Sequence, residues 1–150
     1  MRDRLSQATK AALKAQDRAR LGALRLMSAA LQEREIAART DKLSDQEIAA
    51  VLQKMLKQRR ESLAIYQQAG RQDLAAQEAS EIVVIEEFLP QQMGEADVTA
   101  AIAAAIKEVE ATGPKDMGKV MAALKQRHAG RMDFGQASGL VKELLKAAAP

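Results

Sequence analysis

Apolar residues recur along this chain every three or four positions, the spacing that places them on one face of an α-helix. The first such segment covers Arg2 to Gln16, and the second follows a candidate N-cap residue, Asp17, and runs to about Arg39. No segment shows the period-two alternation with β-branched residues that is typical of a strand. The pattern therefore predicts an all-α protein.

The third segment begins with a clear helix-start signal. Ser44 and Glu47 have the spacing of a capping box, and Leu43 and Ile48 have that of a hydrophobic staple. The apolar positions of this helix fall within an arc of about 100° and are Ile48, Leu52, Met55, Leu56, Leu63 and Tyr66. Gly70 is expected to end the helix.

A fourth helix is predicted from about Asp73 to Phe88, because Pro90 prevents it from continuing. Residues 90–94 combine Pro and Gly with polar residues and form the best candidate for a domain boundary. We therefore expect an N-terminal four-helix domain over residues 1–92 and a smaller C-terminal domain over residues 93–150.

The C-terminal domain is predicted to contain three helices. Their apolar positions are Ile102, Ile106 and Val109 in the first, Met117, Val120, Met121 and Leu124 in the second, and Ala137, Leu140, Val141 and Leu144 in the third. Gly113 with Pro114 separates the first pair of helices, and Gly130 separates the second pair.

Three charged residues interrupt the apolar faces of the third and fourth helices. Arg59 and Glu81 each lie eleven residues from Gly70, so a helical hairpin that turns there places them at the same level. This spacing predicts an ion pair between Arg59 and Glu81, shared with Glu78, whose role would be to fix helix register. The alternative is that Arg59 extends its guanidinium group to water.

The composition excludes several chemistries. The chain has no Cys and a single His, His128, which rules out thiolate metal sites, a thiol nucleophile and a multi-His centre. His128 is interpreted as a contact at a helix C-terminus. Neither a metal nor a cofactor is expected, and no P-loop, GxGxxG or GxSxG motif suggests a catalytic residue. Because aromatic residues make up only 2%, a base-stacking platform is also not expected.

No apolar stretch approaches the roughly 18 residues needed to span a bilayer. The N-terminus carries charges at Arg2, Asp3 and Arg4, where a signal peptide would need an apolar run. A cytoplasmic protein that does not contact membranes is therefore expected.

Positive charge is concentrated in three places, although the net charge is only +3. Seven basic and two acidic residues lie between Met1 and Arg25, and the basic ones are Arg2, Arg4, Lys10, Lys14, Arg18, Arg20 and Arg25. A second cluster comprises Lys54, Lys57, Arg59 and Arg60. The third comprises Lys115, Lys119, Lys125, Arg127 and Arg131, which are candidate contacts to nucleic-acid phosphates. The alternative is that these charges only keep helix faces solvated.

The third cluster belongs to a distinctive segment. Gly118 lies one turn after Pro114, where the lack of a side chain lets another backbone or a phosphate approach closely. Lys115 and Lys119 are four residues apart and are expected on one side of the helix.

Several motifs together resemble the YqeY family, which shares a domain with the tail of the GatB subunit of tRNA-dependent amidotransferases. The motifs are Arg25-Leu26-Met27 with Ala30-Leu31-Gln32, Leu56-Lys57-Gln58-Arg59-Arg60-Glu61-Ser62, Phe88-Leu89-Pro90, Asp116-Met117-Gly118-Lys119-Val120-Met121 and Gly130-Arg131-Met132-Asp133. Their order and spacing cover nearly the whole chain. Ala122 departs from the family, which often has Gly there.

The resemblance implies a larger N-terminal helical domain and a three-helix GatB/YqeY-type domain. It also implies a non-catalytic tRNA-binding protein or an accessory of tRNA enzymes. One alternative is a protein-interaction module that docks on an aminoacyl-tRNA synthetase or an amidotransferase. Another, implied by the family name alone, is carbon–nitrogen ligation with glutamine as the amide donor; no catalytic residue in this chain supports it.

Overall fold

The helix boundaries follow from capping interactions that the sequence encodes locally. In the computed structural model, which describes residues 1–148, the Asp17 carboxylate accepts a hydrogen bond from the Arg20 backbone N–H at 3.1 Å. Ser44 and Glu47 form the complete capping box, with each side chain accepting from the other residue's backbone N–H. These contacts satisfy backbone donors that have no partner within the helix.

The described residues form helices and no strands, which confirms the predicted all-α class. The helices are α1 (Arg2–Lys14), α2 (Arg18–Ala38), α3 (Asp45–Gln68), α4 (Gln72–Glu87), α5 (Glu95–Glu108), α6 (Met117–Arg127) and α7 (Phe134–Ala148). A short 3-10 turn, Pro114–Asp116, precedes α6. The first helix ends two residues earlier than predicted, because Gln16 has a positive φ of 57° and reverses the chain before Asp17.

The chain divides into two compact units, Met1–Pro90 and Gln91–Pro150. In the first unit, α1 to α4 enclose a core whose most deeply buried side chains are Leu24, Met27, Leu31, Leu52 and Ile85. Because burying one such side chain contributes about 1.5–3 kcal/mol, this shared core holds helices that would be marginal alone.

The second unit has a separate core between α5, α6 and α7. Its most deeply buried side chains are Ile102, Val120, Leu124, Val141 and Leu145. Leu140, which the spacing placed in the core, is 39% exposed, and Leu145 is fully buried instead. The row Ala137–Val141–Leu145 forms the centre of the packed face of α7, and Leu140 lies beside it.

Within residues 1–148, no helix combines the length and the apolar character needed to cross a membrane.

Candidate nucleic-acid interface

The exposed face of α6 carries two of the predicted cations. Val120 and Leu124 turn into the core of the second unit, and this leaves the opposite side of the helix in solvent. The exposed residues on that side are Gly118, Lys119, Ala122, Lys125 and Gln126. At about 100° per residue, Lys119 and Lys125 lie at the two edges of this face, and the small residues lie between them.

Gly118 makes this face flat and open. It is the second residue of α6, and a Cβ atom built on it would meet no heavy atom within 4 Å. No packing contact in its surroundings therefore requires a glycine, although glycine within a helix is about 0.5–1 kcal/mol less favourable than alanine. The open space above Gly118 and Ala122 is accessible to a ligand from solvent.

Lys115 lies outside α6, in the 3-10 turn. Contrary to what the sequence had indicated, Lys115 and Lys119 therefore do not belong to one helix, because only Lys119 is part of α6. The turn is held by Asp116, whose carboxylate accepts a hydrogen bond from the Thr112 backbone N–H at 2.9 Å. This bond lowers the pKa of Asp116, and the positive charge of Lys119 lowers it further. Lys115 is exposed within this turn.

The remaining two cations are engaged in structural contacts. Arg127 forms an ion pair with Glu108 of α5. Arg131 donates from Nε to the Gln91 carbonyl oxygen at 3.0 Å, and its own carbonyl accepts from the Met93 backbone N–H at 2.9 Å. Arg131 thus links the segment before α5, which contains Gln91 and Met93, to the turn before α7.

The structure therefore divides the five predicted contact residues into two groups. Among residues 1–148, the side chains of Lys115, Lys119 and Lys125 form no ion pair or hydrogen bond. Arg127 and Arg131 already have protein partners, and any phosphate would have to compete with those partners. Lys119 and Lys125 are the two that share an open helix face.

The charged residues predicted to pair in the first unit lie close together. Arg59 Nε is 2.6 Å from Glu81 Oε2 and 3.7 Å from Glu78 Oε2. All three side chains are mostly buried, with exposed fractions of 21%, 12% and 16% respectively. Burial raises the pKa of Glu78, the negative charge of Glu81 raises it further, and Arg59 opposes both effects.

His128 is the C-cap residue of α6, and its backbone N–H donates to the Leu124 carbonyl oxygen. This confirms the predicted position at the C-terminus of the helix, and the ring Nδ1 is buried without a hydrogen-bond partner among the described residues. In the described part of the chain, no group of three His, Cys, Asp or Glu side chains has the arrangement needed to hold a metal ion.

These features define a class: a small all-helical protein with two separate cores and an exposed helix face that carries two lysines. The chain belongs to the Yqey-like protein family, whose family model matches residues 2–145. This match confirms the resemblance seen in the sequence. Comparison with curated proteins gives no match.

Proposed function

We propose that this protein binds RNA of the tRNA class without catalysing a reaction, as an accessory to tRNA-using enzymes. The observation that carries the proposal is the exposed face of α6, where Lys119 and Lys125, which form no ion pair or hydrogen bond with the described residues, flank the open surface of Gly118 and Ala122. Lysine side chains on such a face can reach phosphates on either side of a backbone that lies across the glycine. The family resemblance to the GatB tail supports tRNA as the ligand.

Recognition on this face would depend on shape and charge. No aromatic residue lies on the exposed side of α6, so base stacking is not available there. Phosphate contacts by lysine release counterions, and the binding constant should therefore fall steeply as salt is raised. Lys115, exposed in the adjoining turn, is a third candidate contact.

The test is fluorescence anisotropy with labelled tRNA, using Lys119→Gln/Lys125→Gln. Glutamine removes both charges and keeps a good helix former at each position. We expect weaker binding and a salt dependence, d log K/d log[salt], that is shallower by about 1.4–1.8, since each phosphate contact contributes about 0.7–0.9.

The matched control is Lys142→Gln/Lys146→Gln, which removes two exposed charges from α7 in the same unit. If both double variants weaken tRNA binding equally, net charge explains the effect and the α6 face is not the site. If neither the wild type nor the control variant binds tRNA, the result contradicts the RNA-binding function itself.

Two other outcomes address the alternatives. Recovery of a synthetase or an amidotransferase from lysate after nuclease treatment would favour a protein-docking role. Release of ammonia from glutamine by the purified chain would contradict the non-catalytic part of the proposal, provided that a mock purification without the chain releases none.

A further inference from the structure

The structure separates the seven N-terminal cations into two groups. Three of them are held by acidic or carbonyl partners within the first unit: Arg2 pairs with Glu35, and Arg4 and Arg20 both contact Glu87. Arg4 donates to the Glu87 carbonyl oxygen at 3.1 Å, and Arg20 lies 2.9 Å from the carboxylate. These three residues tie α1 and α2 to other helices of their unit.

The other four cations are Lys10, Lys14, Arg18 and Arg25. All four side chains are exposed, and none forms an ion pair or a hydrogen bond with any residue that the structure describes. Their charges are therefore accessible to a ligand from solvent.

These four residues lie on the outer faces of two consecutive helices. On α1, Lys10 and Lys14 are one turn apart, on the side away from buried Leu5 and Ala12. Lys14 ends α1 and Arg18 begins α2, with three residues between them. Arg18 and Arg25 are seven residues apart on α2 and hence on one face of it, about 10 Å from each other along the axis.

Gly22 occupies the surface between the two arginines. It lies four residues after Arg18 and three before Arg25, which places all three on one exposed stripe of α2. A Cβ atom built on Gly22 would meet nothing within 4 Å, and the next small residue along the stripe is Ala29. The exposed stripe thus resembles that of α6, since in both a helical glycine in open space lies near cations that form no ion pair or hydrogen bond.

We propose that this outer face of α1 and α2, formed by Lys10, Lys14, Arg18, Gly22 and Arg25, is a second contact surface for the phosphodiester backbone of RNA. The identity of the ligand rests on the proposed function; the surface itself rests on the unpartnered cations and the open glycine. The cations supply sequence-independent phosphate contacts, and Gly22 lets the backbone approach the helix axis closely.

A nucleic-acid backbone fits this face better than a lipid surface does. A helix that lies in a membrane interface needs large apolar side chains on the buried side, whereas Gly22 lies between the two arginines of α2 and Ala29 follows one turn after Arg25. Leu13 and Leu26 are exposed, but Leu13 directly precedes Lys14 and Leu26 directly follows Arg25, so each lies about 100° away from that cation around its helix. A phosphodiester chain can use charge and a flat surface without apolar anchors.

The first test is tRNA binding by Arg18→Gln/Arg25→Gln. The control is Arg34→Gln/Lys54→Gln, which removes two exposed charges elsewhere in the same unit, from side chains that line the groove between α2 and α3. We expect Arg18→Gln/Arg25→Gln to make the slope d log K/d log[salt] shallower by about 1.4–1.8. This variant should also weaken tRNA binding more than the control variant does. Equal effects of the two pairs would overturn the proposal.

The second test changes no charge. Gly22→Gln places a side chain over the stripe and should weaken tRNA binding while the melting temperature stays the same or rises, because glutamine favours a helix more than glycine does. Ala76→Gln, at an exposed position of α4, is the matched control and should leave binding unchanged. Unaltered binding by Gly22→Gln would overturn the role of the open glycine.

The two surfaces can be judged separately. If Lys119→Gln/Lys125→Gln weakens binding and Arg18→Gln/Arg25→Gln does not, this inference fails and the proposed function stands. The opposite result supports this surface and removes the α6 assignment. Sedimentation with phosphatidylserine vesicles provides a further arm: loss of vesicle binding by Arg18→Gln/Arg25→Gln with unchanged tRNA binding would identify a lipid surface and overturn the inference.

Discussion

Glu78 shows how one residue can make stability depend on pH in an otherwise ordinary helical hairpin. Two carboxylates, Glu78 and Glu81, face the single guanidinium group of Arg59, so the mostly buried cluster carries one negative charge more than it can neutralise. Burial and the negative charge of Glu81 raise the pKa of Glu78 in the folded state. The folded protein therefore binds this proton more tightly than the unfolded chain does.

The sign of the resulting pH dependence follows directly. A raised pKa contributes stability below the ordinary glutamate value of about 4.3, and this stability is lost as pH rises through the raised folded-state pKa. Glu78→Gln should therefore raise the melting temperature at pH 7 relative to wild type, and the difference should shrink towards pH 4. Thermal unfolding followed by circular dichroism between pH 4 and 8 measures it.

Glu61→Gln is the control for this experiment, because Glu61 is an exposed glutamate on α3 that forms no ion pair with the described residues. A melting temperature that falls at pH 7 in Glu78→Gln, or one that rises equally in Glu61→Gln, would contradict the assignment of the pH dependence to the buried cluster.

At the scale of elements, two glycines of this chain have opposite roles. Gly70 has φ +70° and follows the C-cap of α3. There the Arg71 N–H donates to the Tyr66 carbonyl oxygen at 2.9 Å, and the Gly70 N–H donates to that of Gln67 at 3.2 Å. This pair of bonds is the Schellman motif, which ends α3 and turns the chain into α4. Gly118, by contrast, has no such conformational role within α6.

Alanine substitutions should separate these roles. Gly70→Ala should destabilise the protein by about 1–2 kcal/mol, because a Cβ atom is unfavourable in the left-handed region. Gly118→Ala should stabilise it by about 0.4–1 kcal/mol, because its surroundings are open and alanine reduces the entropy of the unfolded chain. Urea unfolding measures both changes, and the same sign in both would show that the local assignment is wrong.

At the scale of the whole molecule, the described chain has two cores with no buried residue in common. Each core is enclosed by its own set of helices, α1–α4 in one unit and α5–α7 in the other. A defect in one core should therefore be confined largely to its own unit, because packing losses act on the atoms that surround a cavity.

Leu24→Ala tests this independence. Leu24 is fully buried in the first unit, and its truncation should cost about 2–5 kcal/mol. Hydrogen exchange should show faster exchange in α2 and α4 and unchanged exchange in α7. Leu26→Ala, at a 45% exposed position of the same helix, should have little effect on either unit. Equal loss of protection in α7 would show that the two cores unfold together.

The local signals of this sequence were sufficient for much of the fold. The capping box at Ser44 and the N-cap at Asp17 depend on residues three apart, and such contacts form wherever the helix forms. The packed face of α7 was less predictable, because Leu140 and Leu145 both fit a helical spacing and only the neighbouring helices select between them.

The candidate sites show the same limit. Gly118 could be singled out from its position in the sequence, but nothing in the local pattern distinguished the unpartnered Lys125 from the paired Arg127 two residues later. Glu108, which pairs with Arg127, is nineteen residues away, and Gln91, which holds Arg131, is forty residues away. Partners at such separations are brought together by packing and leave no periodic signal.

The sequence alone thus determined the helices, the ends of the first four to within two residues, and the excess of positive charge near the N-terminus and around α6. Each of these depends on residue type and on neighbours within one or two turns. Tertiary structure decided which cations are engaged and which face solvent. An ion pair depends on the distance between two side chains in space, and packing sets that distance between residues far apart in the chain.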